Sequence, residues 1–141
     1  MKLAIFYKSH LGSTRNYAKW LKEQYDADLY MFRQLKKAKI SSCDTIIVSS
    51  GTYKGRMPLV KFIQQAWPQI KNKRVIVVAV GIVDPNDQAS INSYKMIPKK
   101  IRDNIRYFKL PGKIGSSKPM GEVEPENLKP IVKYLKLLDN K

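Results

Sequence analysis

Leu3-Ala4-Ile5-Phe6-Tyr7-Lys8-Ser9-His10-Leu11-Gly12-Ser13-Thr14 joins a short apolar run, a polar loop with one Gly, and the start of a helix. An unbroken apolar run of this length is what a strand covered on both faces requires. Beyond the loop, Tyr17, Ala18, Trp20, Leu21 and Tyr25 recur at helical spacing, with Lys19, Lys22 and Glu23 between them. Ser13 or Thr14 is the expected N-cap, because either hydroxyl can accept a first-turn amide.

The unit then repeats. Asp28 to Phe32 reads as a second, shorter strand, and Arg33 to Ser42 as a basic loop with at most one helical turn. Thr45-Ile46-Ile47-Val48-Ser49 is a third strand, rich in β-branched residues. Pro58 sits where a helix starts, followed by Leu59, Phe62, Ile63, Ala66 and Trp67 on one face. Arg74 to Val80 is the strongest strand. A helical segment from Gln88 to Asn104 is interrupted at Pro98, Ile105 to Leu110 alternates with period two, Pro111 to Glu124 is irregular, and Glu126 to Leu138 is a closing helix. Trp20 and Trp67 lie on apolar faces and are expected in the core. Nearly all-apolar central strands alternating with helices predict an α/β fold: a three-layer, doubly wound, five-stranded parallel sheet. Right-handed crossovers and five strands fit the order 2-1-3-4-5. No repeat, low-complexity tract or linker divides residues 1–141, so one domain is expected.

Composition narrows the function. Lys and Arg number 27 against 11 Asp and Glu, a formal net charge of +16, which first points to an anionic partner. No apolar run approaches the length of a membrane span, and the N-terminus lacks a signal-peptide pattern. The cytoplasm is therefore expected, with a peripheral place at the membrane as the second expectation. One Cys and one His exclude a disulfide framework and a multi-His metal centre. Cys43 is expected to be a small packing residue rather than a nucleophile.

The fold rule directs attention to the loops after strands one, three and four. Lys8 to Thr14 runs into a helix N-terminus with three hydroxyl residues and a Gly, a loop able to offer N–H and O–H donors to a phosphate. Its composition is equally that of a plain capped turn. There is no Gly-x-Gly-x-x-Gly and no Gly-Lys-Ser/Thr, which disfavours a dinucleotide fold and excludes a nucleoside-triphosphate loop. A phosphoacceptor domain needs acids where Lys8 and Ser49-Ser50 stand, and the Cys-x5-Arg pattern of a phosphatase is absent.

Three collinear segments carry a resemblance. Tyr7 to Ala18 resembles the opening strand, phosphate loop and first helix of flavodoxins. Thr45 to Pro58 resembles the third strand and first flavin-ring loop, and Lys73 to Gly81 the fourth strand with a second ring loop. The resemblance covers most of residues 1–110 and is to short flavodoxin-domain proteins related to the flavin-dependent protoporphyrinogen oxidases of bacteria. It implies FMN as cofactor. The phosphate would lie on Ser9, His10, Leu11, Gly12, Ser13 and Thr14. The family commonly has a hydroxyl residue just before the Gly, where this chain has Leu11. The ring would lie between Ser50, Gly51, Thr52, Tyr53, Lys54 and Gly55 on one side and Gly81, Ile82 and Val83 on the other, with Tyr53 as the stacking aromatic.

No acid–base pair or nucleophile stands out, so the chemistry would belong to the cofactor. The expected function is an FMN-binding electron-transfer protein. The first alternative is a flavin-dependent oxidoreductase acting on a quinone or porphyrinogen at the membrane surface, and the second a flavin-free basic binding module. Neutral or positive surroundings predict a higher two-electron potential than an acidic flavodoxin has. Lys95, Lys99, Lys100, Arg102, Arg106, Lys109, Lys113 and Lys118 face one acid, Asp103, in the run Lys95–Lys118. That run is the expected docking region for an acidic redox partner or an anionic membrane surface. Nucleic acid ranks last, for want of interleaved aromatics or a helix-turn-helix pattern.

Overall fold

The apolar runs become five parallel strands in a computed structural model, which describes residues 1–9, 12–52, 56–81, 86–112 and 123–140. They are β1 (Leu3–Lys8), β2 (Asp28–Met31), β3 (Thr45–Gly51), β4 (Arg74–Gly81) and β5 (Arg106–Pro111). The order across the sheet is β2-β1-β3-β4-β5, as the alternation predicts. The register pairs Ile5 with Ile47 and Ile47 with Ile76, so the three central strands stack apolar on apolar.

Side-chain alternation splits the core into two layers. Ala4, Phe6, Ile46, Val48, Val75, Val77 and Ala79 face α2 (Pro58–Ile70), with Ile97 and Ile101 completing that layer. Ile5, Ile47, Ile76, Val78 and Val80 face the other way, onto Tyr17, Ala18 and Leu21 of α1 (Ser13–Tyr25) and Ile131 and Leu135 of α5 (Lys129–Asp139). Each fully buried aliphatic side chain stabilises the fold by roughly 1.5–3 kcal/mol relative to exposure. The two short helices α3 (Gln88–Lys95) and α4 (Lys99–Arg102) flank Pro98 as expected.

Four details differ from the sequence reading. The strand at residue 28 ends at Met31, because the Gln34 Oε1 accepts the Met31 N–H at 2.7 Å and starts a 3-10 helix, Phe32–Lys37. Phe32 then stacks on Phe62, with ring centroids 4.1 Å apart. A second 3-10 turn, Ile40–Ser42, follows, so the basic loop holds two tight turns. The closing helix is split into a 3-10 turn, Pro125–Leu128, and α5, which starts at Lys129; Pro130 has no N–H to donate back to the Glu126 carbonyl, as one unbroken α-helix would require. Trp20 and Trp67 are half-buried and lie against the two core layers rather than inside them.

Candidate functional site

All strands are parallel, so their carboxyl ends share one edge. Lys8 is level with Ser50, Gly51 with Val80, and Gly81 with Pro111. Ser9, Gly12, Ser13, Thr14, Ser50, Gly51, Thr52 and Gly81 are therefore gathered on that edge. His10, Leu11, Tyr53, Lys54, Gly55, Ile82 and Val83 lie outside the described residues.

At the β1 end the helix cap is not the one expected. α1 starts at Ser13, and its N-cap is Gly12, at φ 96°. That left-handed backbone is open to Gly and strained for most other residues. A Gly cap places no side-chain oxygen over the first-turn amides. The Gly12 N–H donates to Ser9 Oγ at 3.1 Å, and the Gly12 carbonyl accepts the Asn16 N–H at 2.9 Å. Ser13 and Thr14 are buried against the strand ends. The result is a helix N-terminus with its dipole directed at the edge and hydroxyls around it, a donor set suited to a phosphate. Beside it runs a cleft of about 610 Å³ lined by Tyr7, Lys8, Ser9, Arg15, Met31, Phe32 and Arg33. Its three described cations face no carboxylate among those lining residues.

The β3 end is more densely bonded. Ser50 is fully buried; its hydroxyl donates to the Gly51 carbonyl at 3.1 Å and accepts the Leu59 N–H at 3.2 Å. That side chain holds the first turn of α2 onto β3. The Thr52 N–H donates to the Val80 carbonyl at 2.8 Å, and Gly112 N–H donates to the Gly81 carbonyl at 2.8 Å. Gly81 has no room for a side chain: a Cβ there would overlap Thr52 Oγ1 and stand 3.2 Å from Lys109 Nζ.

Lys109 is the residue that sequence reasoning placed differently. It belongs to the run expected to dock a partner, and it is half-buried and donates from Nζ to Thr52 Oγ1 at 3.0 Å. Burial pulls its ammonium down to about 8 from the ordinary 10.5. No described carboxylate forms an ion pair with it. Beyond it opens a cleft of about 460 Å³, lined also by Ser90, Ile91, Tyr94, Ile105, Arg106 and Tyr107. The Tyr94 and Tyr107 rings meet edge to face at 4.8 Å, and burial raises the Tyr107 phenol. The available signal was period two: Lys109 shares a strand face with Ile105 and Tyr107, the side that packs.

The rest of the basic run divides in the same way. Arg102 donates from Nε to the Ile97 carbonyl at 2.7 Å and lies over the Tyr94 ring. Arg106 lies over Phe108 and Tyr134. Lys95, Lys99 and Lys100 are exposed, with Lys99 paired to Asp103 at 2.7 Å. Lys113 and Lys118 lie outside the described residues. Cys43 is buried in the core, and burial raises its thiol, which fits packing and opposes nucleophilicity. No helix among the described residues is long and apolar enough to cross a membrane.

A family model described as a flavodoxin domain matches residues 4–133. Among solved structures, the chain is similar to the Trp repressor binding protein from Bacillus subtilis, at 18% identity and a TM-score of 0.60, over 91% of this chain and 94% of that one. It is also similar to the oxidised flavodoxin 2 from Bacillus cereus, at 18% identity and a TM-score of 0.54, over 77% and 84%. A flavodoxin from the domain Archaea matches at 18% identity and a TM-score of 0.50, over 77% and 83%. No curated protein matches the chain. At these identities the structures establish the fold, and the family model establishes kinship.

Proposed function

The chain belongs to the flavodoxin domain family, and from that premise we propose that it binds FMN and carries electrons to or from a protein partner. Family membership implies a flavin; the mononucleotide and the carrier role are the proposal. The observation that carries it is the Gly12-capped start of α1, free of a side-chain cap and set beside Ser9, Ser13 and Thr14. An amide and hydroxyl set of this kind holds a phosphate dianion without needing a cation. Lys8 and Arg15 stand close enough to the same cleft to add charge.

When bound, a flavin supplies one- and two-electron transfer, and the protein supplies orientation and charge. Gly12, Ser13 and Thr14 would hold the phosphate. Gly51, Thr52 and Gly81 would bring backbone close to the ring, with Tyr53 stacking on it. Lys95, Lys99 and Lys100 give an acidic partner an exposed positive surface, and such steering weakens as salt rises.

The test is reconstitution. Purified apoprotein titrated with FMN should quench flavin fluorescence and acquire structured flavin absorption bands with one-to-one stoichiometry. A protein that stays colourless at millimolar FMN overturns the reading.

A further inference from the structure

Lys109 needs a reason to be where it is. Lys109 is half-buried, and an ammonium partly withdrawn from water opposes folding unless something pairs with it. Its one described hydrogen-bond partner is the neutral Thr52 hydroxyl at 3.0 Å, and no described carboxylate reaches it. The position is also tightly built. Gly81 lacks the side chain that would overlap Thr52 Oγ1 and crowd Lys109 Nζ, and Gly112 lacks the one that would press on Val80 Cγ1 at 2.7 Å. Thr52 and Gly81 are the last described residues before the two segments expected to flank the ring. The cation is thus held against the carboxyl ends of β3 and β4.

We propose that Lys109 is the built-in counter-charge for the reduced flavin and raises the potential of this site by binding the reduced, anionic form more tightly than the oxidised, neutral form. The inference rests on the flavin reading above. A two-electron donor delivers two electrons and the ring takes up one proton, so the ligand gains one negative charge. An ammonium in a partly dehydrated site attracts that charge far more than a solvated lysine does. Because the oxidised ring is neutral, Lys109 changes the affinity for one redox form and leaves the other nearly alone. A ligand shifts an equilibrium only by such differential binding.

The charged and titratable groups around Lys109 are few. Tyr94 faces the cleft from α3, and Arg106 and Tyr107 from β5. Asp87, the N-cap of α3, is exposed and accepts the Ala89 N–H at 2.9 Å. Thr52 and Gly81 bring no titratable group. Lys109 is therefore the described group there that changes charge near pH 8.

The experiment uses the full chain loaded with FMN, as wild type and as Lys109→Gln, which removes the charge and keeps a donor toward Thr52. Fluorescence quenching gives the affinity for oxidised FMN. Dithionite titration against a reference dye, at pH values from 6 to 10, gives the potential. Oxidised FMN affinity should change less than threefold. The affinity for reduced FMN should fall at least tenfold, which for a two-electron couple lowers the potential by about 30 mV. The wild-type advantage should fade above about pH 8, as Lys109 loses its proton. FMN binding with an unchanged potential in Lys109→Gln overturns the inference alone. Failure of the wild type to bind FMN overturns the flavin reading and the inference with it. If Lys109→Gln does not fold, the wild-type profile decides: an extra fall in potential above pH 8 supports the inference, and a one-proton slope up to pH 10 overturns it.

Discussion

Gly12, after β1, and Gly81, at the end of β4, stand on one sheet edge and are glycines for opposite reasons. Gly12 has φ 96° with nothing within 4 Å of where a Cβ would be; Gly81 has no such φ, and its Cβ would overlap Thr52. The first position is limited by backbone conformation and the second by space. Around Gly12 the polar groups are amides and small hydroxyls beside exposed cations. Around Gly81 they are interlocked: Thr52 on Val80, Lys109 on Thr52, Gly112 on Gly81. A loop of the first kind can shape itself to a ligand. A cluster of the second kind is already set, so any charge in it acts on whatever lies above. In the flavin reading, affinity belongs to the β1 end and potential to the β4 end.

The largest effect expected from breaking this division is at Gly81. Gly81→Ala must push Thr52 aside and disturb the Lys109 hydrogen bond, at a cost of about 2–3 kcal/mol in urea unfolding, the range for overpacking a filled site. Thr52→Ala removes the obstructing hydroxyl. The double variant Gly81→Ala/Thr52→Ala should therefore be more stable than the sum of the single changes, by at least about 1 kcal/mol. Additive costs would mean that Thr52 is not the obstacle.

Much of this frame was legible in the sequence. Ile46 to Val48 and Val75 to Val80 carry no polar side chain, the pattern of strands in a doubly covered parallel sheet. The edge residues Ser9, Gly12, Thr52 and Gly81 followed from the strand order. The cap of α1 did not follow, because a hydroxyl residue and a left-handed Gly compete for the same position, and the loop path decides between them. Lys109 was hidden by its company. Seven other basic residues in its run made a surface reading natural, and only strand alternation marked it as inward. The splitting of the last helix turned on Pro130, whose missing N–H breaks the ladder back to Glu126.

Next in size is the stability cost of the half-buried cation itself. Lys109 titrates near 8 in the fold and at 10.5 when ordinary, so between those values the unfolded chain holds the extra proton. Stability of the apoprotein should therefore rise as pH increases from about 8 to 10.5, with the full cost present below 8. Lys109→Met removes the charge at every pH. It should stabilise the apoprotein by about 1–2 kcal/mol at pH 7, a value discounted for the partial solvation of the side chain. The gap between the two proteins should narrow through pH 8–10.5. A variant less stable than wild type at pH 7 would show that the lysine acts as a structural brace.

Similar in size, and the sharpest separation of the two glycines, is the effect at Gly12. Because space there is open, only φ opposes a side chain, and Gly12→Ala should cost about 1–2 kcal/mol, the strain of a left-handed alanine. Asn tolerates that conformation through local hydrogen bonding, so Gly12→Asn should cost less than Gly12→Ala despite its larger side chain. At Gly81 the order must reverse, since the bigger residue meets the greater obstruction. Melting both pairs of variants side by side tests the distinction, and the same ranking of Ala and Asn at the two positions would refute it. FMN titration of the Gly12 variants then asks whether the β1 end governs affinity. Weaker binding with an unshifted potential is expected, because a strained loop presents the same amides less well and leaves the charge at Lys109 untouched.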